Sequence, residues 1–154
     1  MTTFEPGAIE VLTQGATDRP RSTAFLASMA AAIITEGLEV LVQLVIADII
    51  GIVNKQPPGT PIPADHSTLL FRAHRAHANT NESVAAFLAL TLFAIAVSAP
   101  PFWLNTLCLA YIAGRVGHML CYYANLKILR SIFFGIATLA LVGVLAVGIA
   151  ACLG

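Results

Sequence analysis

The sequence predicts an all-α membrane protein in which four transmembrane helices form an up-down antiparallel bundle. Of the 154 residues, 58% are hydrophobic and only 10% are charged, and the mean hydropathy is +0.84. Such a composition lies outside the range of soluble domains. Four long apolar segments separated by short breaks then predict four helices, because a bilayer core takes roughly 20 helical residues to cross.

Each predicted helix ends at a break that its residues explain. The four segments cover residues 24–52, 68–98, 101–126 and 129–153. The breaks are Gly51 followed by the loop KQPPGTPIP, then Ala-Pro-Pro at 99–101, then the polar stretch 125–127, all of which disfavour continued helix. Connections this short make neighbouring helices antiparallel. The start of the second helix, the end of the third and the start of the fourth should therefore lie at one end.

The domain organisation is simple. Residues 1–21 form a polar N-terminal tail without the apolar stretch of a cleavable signal, and residues 22–154 form one membrane domain. Eight basic residues balance eight acidic ones, so nothing indicates a nucleic-acid partner. The three cysteines stand isolated in apolar sequence, which predicts buried small hydrophobic residues and no disulfide framework. The distribution of basic residues mildly favours a cytoplasmic location for the charged end.

Polar residues interrupt the second predicted helix in the stretch RAHRAHANTNE, residues 72–82. At 100° per residue they fall on two stripes. The first stripe, within about 80° of the helix circumference, consists of Arg72, Arg75, Asn79 and Glu82. The second, on the roughly opposite side, consists of His74, His77 and Asn81. This helix should therefore present polar groups to two neighbours.

The third and fourth predicted helices add further polar groups at the same end. One face of the third helix carries Tyr111, Arg115, His118, Tyr122 and Asn125. The fourth helix opens with Arg130 and is apolar afterwards. Charged side chains at membrane depth cost at least about 2.5 kcal/mol each, so they usually face a protein interior or a wet cavity. We therefore expect a shared cationic pocket that binds a small molecule through its carboxylate or phosphate groups.

Other interpretations of these polar residues remain open. Arg75 and Glu82 could form a structural ion pair, and the amides and histidines could serve as interhelical hydrogen bonds. His74 and His77 do not predict a metal site, because Arg75 lies between them and no third ligand follows at a suitable step. Glu36, Glu39 and Gln43 on the first helix could be partners for the arginines or a proton-sensitive patch; partnership is favoured because the arginines need counter-charges.

These residues resemble the signatures of a known family. RxxRAHxNxxE at residues 72–82 resembles the second-helix signature of the MAPEG family, the membrane-associated proteins in eicosanoid and glutathione metabolism. RxxHxxxY, formed by Arg115, His118 and Tyr122, resembles the third-helix signature, and Arg130 resembles the arginine that opens the fourth helix. The likeness is greatest to the microsomal glutathione transferases. One departure is the pair Ala85–Ala86, which stands where the family usually has a proline that kinks the helix.

The resemblance implies a homotrimer that binds glutathione, as cosubstrate or cofactor, between adjacent subunits near the cytosolic end. The residues implied to bind glutathione are Arg72, Arg75, His77, Asn79, Glu82, Arg115, His118 and Tyr122. Arg130 is implied to stabilise the thiolate, and Tyr122 to donate a second hydrogen bond.

The implied activity is that of a detoxifying transferase or peroxidase that acts without a metal. Its substrates would be lipophilic electrophiles or lipid hydroperoxides that arrive from the surrounding membrane lipids. The alternative is a scaffold of the same family that binds a lipid or fatty acid and catalyses nothing.

Overall fold

The computed structural model describes residues 23–154, and over this part of the chain the protein consists of four helices and no strand. The helices are α1 (Thr23–Val53), α2 (Leu69–Ala96), α3 (Pro101–Tyr123) and α4 (Lys127–Leu153). Every end lies within three residues of its predicted position. The predicted polar tail falls outside the described residues.

Local residue types account for where the helices begin and turn. α2 begins after Thr68, whose hydroxyl accepts a hydrogen bond from the backbone N–H of Phe71, as an N-cap should. α3 begins at Pro101, which has no N–H group to leave unsatisfied in the first turn. Asn125 adopts a left-handed conformation with φ of 58° between α3 and α4, a conformation that asparagine tolerates better than most residues. α2 continues without a break through Ala85 and Ala86.

Contacts between helices confirm the antiparallel order. Arg72, near the start of α2, reaches the backbone carbonyl of Tyr123 at the end of α3. Further along, Thr91 of α2 contacts Cys108 in the first half of α3. The start of α2, the end of α3 and the start of α4 therefore lie at one end, which we call the charged end.

Small residues bring α3 and α4 unusually close. A Cβ atom added to Gly114 would lie 2.8 Å from the backbone nitrogen of Ala137 and 3.0 Å from the carbonyl oxygen of Phe133. These are backbone atoms, so they could not move aside cheaply. Glycine at such a position lets membrane helices approach closely. The approach fixes the first turns of α4, including Arg130, against the polar face of α3.

The bundle carries its apolar residues outside and many of its polar residues inside. α2, α4 and the part of α1 from Met29 onward are long and apolar enough to cross a membrane. Large exposed side chains such as Ile52, Ile128 and Leu139 suit contact with lipid. The protein is therefore an integral membrane protein.

α3 is not among the helices of residues 23–154 that are long and apolar enough to cross a membrane by length and composition alone. The reason is its polar face, which the fold turns inward: Tyr111, Arg115, His118 and Tyr122 are all buried. The prediction of four helices is thus confirmed, and three of them are apolar enough to span a membrane. The remaining helix, α3, combines an apolar outer surface with a polar inner one.

The cysteines agree with the prediction in two of three cases. All three are free, and Cys108 and Cys121 are buried in α3. Cys152 is exposed, so the prediction that it is buried was wrong. It lies near the end of α4, on the side that turns away from the other helices.

Candidate functional site

The polar face of α3 forms the wall from which the candidate site is built. Tyr111, Arg115, His118 and Tyr122 are buried on one side of the helix, as their spacing predicted. Asn125, the fifth member of the predicted face, is exposed in the turn because α3 ends at Tyr123. The stripe therefore begins in the middle of the bundle and ends at its charged end.

Arg115 links α3 to the signature of α2. Its guanidinium donates to Oδ1 of Asn79 over 2.9 Å and to the hydroxyl of Thr80 over 2.7 Å. A guanidinium can only donate, so the amide oxygen of Asn79 must be the atom that points at Arg115. The NH2 group of Asn79 is then available on the other side of its amide.

Asn79 lines a pocket at the charged end, with a volume of about 240 Å³. Residues from three helices form it: Asn79, His118, Arg130, Ser131 and Phe134. Three of these five were predicted site residues. The sequence analysis did not predict Ser131 and Phe134 as pocket residues. Helical spacing could have indicated Phe134, because it lies four residues after Arg130 and therefore on the same helix face.

Arg130, Tyr122 and His118 contact one another beside the pocket. The guanidinium carbon of Arg130 lies 4.5 Å from the centre of the Tyr122 ring, a cation–π contact. The Tyr122 ring meets the His118 ring edge to face, with 5.0 Å between centres. Nδ1 of His118 donates to the backbone carbonyl of Arg130 over 3.0 Å, since a carbonyl can only accept. The stacking and this bond hold the imidazole and guanidinium in place.

Two buried nitrogen atoms near the pocket have no hydrogen-bond partner within residues 23–154. They are Nε2 of His118 and Nε of Arg115. Buried polar atoms are nearly always paired, so such an atom calls for a ligand or a water molecule. Because Nδ1 is bonded to the Arg130 carbonyl, Nε2 is the atom of His118 that is available to a ligand.

Arg72 occupies a different environment from Asn79, although both belong to the first stripe. Its guanidinium donates to the carbonyl oxygens of His66 (2.9 Å), Ser67 (2.6 Å) and Tyr123 (3.4 Å). These bonds fasten the start of α2 to the preceding loop and to the end of α3. Arg72 thus stabilises the junction between these segments, and it does not line the pocket.

Arg75 and Glu82 are not brought into the pocket of the single chain. Both side chains are exposed, and Glu82 stands at the midpoint of the 28-residue helix α2. A carboxylate at the centre of a transmembrane helix does not face lipid without a large cost. The surface that carries these two residues is therefore unlike the apolar surfaces of the other helices.

The second stripe of α2 lies away from the pocket. His77 shares a hydrogen bond of 2.9 Å with Asn81, one turn further along the helix. His74 lines a separate pocket of about 390 Å³ between the end of α1 and the proline-rich loop, together with Asp48 and Gln56. Within residues 23–154 no cluster of three His, Cys, Asp or Glu side chains is placed to hold a metal ion.

α1 supplies buried acidic groups behind the site, as the need for counter-charges suggested. Thr80, which accepts from Arg115, donates to Oε1 of Gln43 over 3.1 Å. Gln43 in turn donates to Glu39 over 2.7 Å. The partnership between α1 and the arginine thus runs through Gln43 and Thr80. The sequence did not reveal the role of Thr80, since nothing in its type distinguishes it from a packing residue.

Comparison with known proteins agrees with this geometry. The sequence model of the MAPEG family matches residues 37–150, which is most of the chain. No protein of curated function matches the chain. The matched segment contains every residue of the pocket at the charged end, together with the polar faces of α2 and α3. This chain therefore belongs to the MAPEG family.

Proposed function

We propose that this protein is a glutathione-dependent transferase or peroxidase that acts on lipophilic electrophiles or lipid hydroperoxides within the membrane. The observation that carries the proposal is the meeting of Asn79, His118 and Arg130, from three different helices, around one pocket. The guanidinium of Arg130 and the NH2 group of Asn79 are donors that suit an anionic ligand, and Nε2 of a neutral His118 can accept a hydrogen bond. Family membership supports a role in glutathione or eicosanoid metabolism.

The chemistry follows from the guanidinium of Arg130. A free thiol has a pKa of about 8.5, so little of it is thiolate at neutral pH. A cation beside the sulfur favours the thiolate, and each tenfold gain in ionisation takes about 1.4 kcal/mol. Arg130 is the half-buried cation that lines the pocket, and its guanidinium lies over the Tyr122 ring. We assign thiolate stabilisation to Arg130, with the Tyr122 hydroxyl as a second donor.

The activated sulfur would react in one of two ways. With a chlorinated aromatic compound, a carbon–sulfur bond forms and chloride leaves. With a lipid hydroperoxide, the sulfur takes one peroxide oxygen and releases the lipid alcohol, after which a second glutathione yields the disulfide and water. Apolar substrates would reach the site laterally, because the surfaces around it face lipid.

A single chain supports only part of this site. A volume of about 240 Å³ lies below the roughly 300–1,000 Å³ usual for small-molecule pockets. Arg75 and Glu82 stand on the adjacent exposed surface. We therefore propose a homotrimer in which this surface of α2 meets a neighbouring subunit and glutathione binds at the boundary. Arg75 and Glu82 would then join Asn79, Arg115, His118 and Tyr122 around the peptide. His77, on the opposite stripe of α2, would contribute to a site with the other neighbouring subunit.

The membrane arrangement completes the proposal. α3 crosses the membrane as well, because the other helices screen its polar face from lipid. The charged end faces the cytoplasm, where glutathione is available. Lipids and the lipophilic substrate are the other partners.

The test compares two basic residues at the start of α4. Arg130→Ala should lower the rate of glutathione conjugation to a chlorinated aromatic electrophile about tenfold to hundredfold, the effect of raising the thiol pKa by one to two units. Lys127→Ala removes the same charge one turn earlier, on an exposed side chain, and should leave the rate nearly unchanged. Both variants would be assayed as purified protein in detergent or nanodiscs.

The result also separates the enzyme from a scaffold that binds lipid. Absence of turnover in the wild type with glutathione, across several electrophiles and hydroperoxides, would overturn the enzymatic proposal. Native mass spectrometry that then finds a retained lipid, and no glutathione, would favour the scaffold instead.

A further inference from the structure

Two glutamates lie deep inside the bundle, and among residues 23–154 a single cation lies near them. Glu36 and Glu39 are one turn apart on α1, and their side chains are 0% and 6% exposed. The facing cation is Arg115, which is 1% exposed. Two ionised carboxylates beside one guanidinium would leave a net negative charge in a buried region, at high cost. The hydrogen bonds show how the charge is distributed.

A proton on the carboxyl group of Glu36 would give every contact around it a donor. The Tyr111 hydroxyl lies 3.0 Å from Oε1 of Glu36 and 3.0 Å from the hydroxyl of Ser83. The Ser83 hydroxyl lies 3.1 Å from the carbonyl oxygen of Thr80. These three contacts need three protons, and the two hydroxyl groups supply only two. A protonated Glu36 completes the set: it donates to Tyr111, which donates to Ser83, which donates to the carbonyl.

The bonds around Glu39 have the opposite polarity. Arg115 donates to Thr80, Thr80 donates to Gln43, and Gln43 donates to Glu39. The NH2 group of Gln43 is the donor to Glu39, which suits an ionised carboxylate. The Thr80 hydroxyl is shared between Gln43 and the carbonyl oxygen of Ala76, which lies 3.2 Å away. Glu39 is also the less deeply buried of the two glutamates. One ionised carboxylate then balances the one guanidinium.

We propose that Glu39 is an ionised positioning residue that holds Arg115 and Asn79 through Gln43 and Thr80, and that Glu36 is a buried, protonated acid. The consequence for the pocket is specific. Arg115 fixes the amide oxygen of Asn79 inward, so the chain from Glu39 leaves the Asn79 NH2 group as a donor to an acceptor on the ligand. This consequence for ligand binding rests on the proposed function, whereas the two protonation states do not.

Replacing each glutamate by glutamine gives a matched pair of variants. Glutamine resembles a neutral carboxyl group in shape and can donate through its NH2 group. Glu36→Gln should therefore keep the bond to Tyr111 and leave the melting temperature of the purified protein close to that of the wild type. Glu39→Gln removes the counter-charge of Arg115 and should lower the melting temperature by at least several degrees. Equal losses, or a larger loss in Glu36→Gln, would overturn the assignment.

Infrared spectroscopy tests the proton directly. At neutral pH the wild-type protein should show the C=O stretching band of a protonated carboxyl group, and the Glu36→Gln spectrum should lack it. A wild-type protein without such a band, or a band that persists in Glu36→Gln, would contradict the proposal. This measurement needs no ligand.

Glutathione titration tests the positioning role. By calorimetry, Glu39→Gln should weaken glutathione binding about tenfold or more, the effect of losing one hydrogen bond to a charged group, while Glu36→Gln should bind within about twofold of the wild type. Should Glu39→Gln fail to fold, Gln43→Met interrupts the same chain and should cause a similar loss of affinity. Unchanged affinity in the folded variants would refute the positioning role.

The outcomes keep the two proposals apart. A wild-type protein that does not bind glutathione would contradict the proposed function. The melting temperatures and the infrared band would still decide which glutamate carries the proton.

Discussion

The first polar stripe of α2 divides into two rows that the fold treats differently. Arg72 and Asn79 form an inner row, and Arg75 and Glu82 form an outer row about 60° further around the helix. The inner row is bonded within the chain, to backbone carbonyls and to Arg115. The outer row is exposed. Similar residue types therefore have two environments: one row forms hydrogen bonds inside the bundle, and the other is the row that we propose contacts a second molecule.

The largest expected effect comes from removing Arg115, the partner of Asn79 in the inner row. Arg115→Leu would leave Glu39 buried without its counter-charge and Asn79 without its donor, so we expect a loss of about 3–5 kcal/mol in the free energy of unfolding. Chemical denaturation in detergent measures it. Lys127→Ala, which removes an exposed positive charge, is the control and should stay within about 0.5 kcal/mol of the wild type. A Leu variant as stable as this control would mean that the bonds of Arg115 to Asn79 and Thr80 do not stabilise the bundle.

Substitution in the outer row should affect ligand binding and spare the chain's own stability. Arg75→Ala removes an exposed guanidinium, so we expect glutathione affinity to fall about tenfold or more while the unliganded protein keeps its melting temperature. Thermal-shift titration with glutathione gives both quantities. Wild-type affinity in Arg75→Ala would remove the outer row from the binding site.

Arg72 sharpens the contrast because it carries the same side chain in the inner row. Arg72→Met keeps much of the length of the side chain but loses the bonds to the carbonyls, and we expect a loss of about 1–2 kcal/mol in stability. The glutathione dissociation constant should stay within about twofold of the wild type. A large loss of affinity at unchanged stability would instead give Arg72 the direct role that the family resemblance implied.

The smallest effect is expected at the loop that precedes both rows. The Ser67 hydroxyl (2.7 Å) and the Ser67 backbone N–H (2.8 Å) donate to the Asp65 carboxylate and hold its pKa below the ordinary value of 3.8. A carboxyl group with a lowered pKa stabilises the fold at pH values above its ordinary pKa. This contribution is lost as the pH falls through the folded-state pKa. The difference in melting temperature between the wild type and Asp65→Ala should therefore be constant near neutral pH and shrink in acid. A difference in melting temperature that grows in acid would contradict the lowered pKa of Asp65.

Much of this architecture could be predicted because periodicity and hydropathy are local properties. The helix ends follow from prolines, glycine and the polar turn, and the face shared by Tyr111, Arg115, His118 and Tyr122 follows from helical spacing. The division of the α2 stripe could not be predicted. Residues 60° apart look equivalent on a helical wheel until the position of the neighbouring helix is known.

The site shows the same limit at the level of single atoms. Arg130 and His118 were predicted from their motifs, but Ser131 and Phe134 became pocket residues only because Gly114 lets α4 approach α3. The link from Glu39 to Arg115 passes through Gln43 and Thr80. Their geometry depends on three helices at once.

The sequence by itself determined that this chain forms membrane helices, where those helices end, and which residue types lie on their polar faces. Only the tertiary structure decided which polar groups satisfy one another and which are left for another molecule. The physical reason is that hydropathy and helical period act along one helix, whereas hydrogen bonds and charge balance in a buried site are settled between helices.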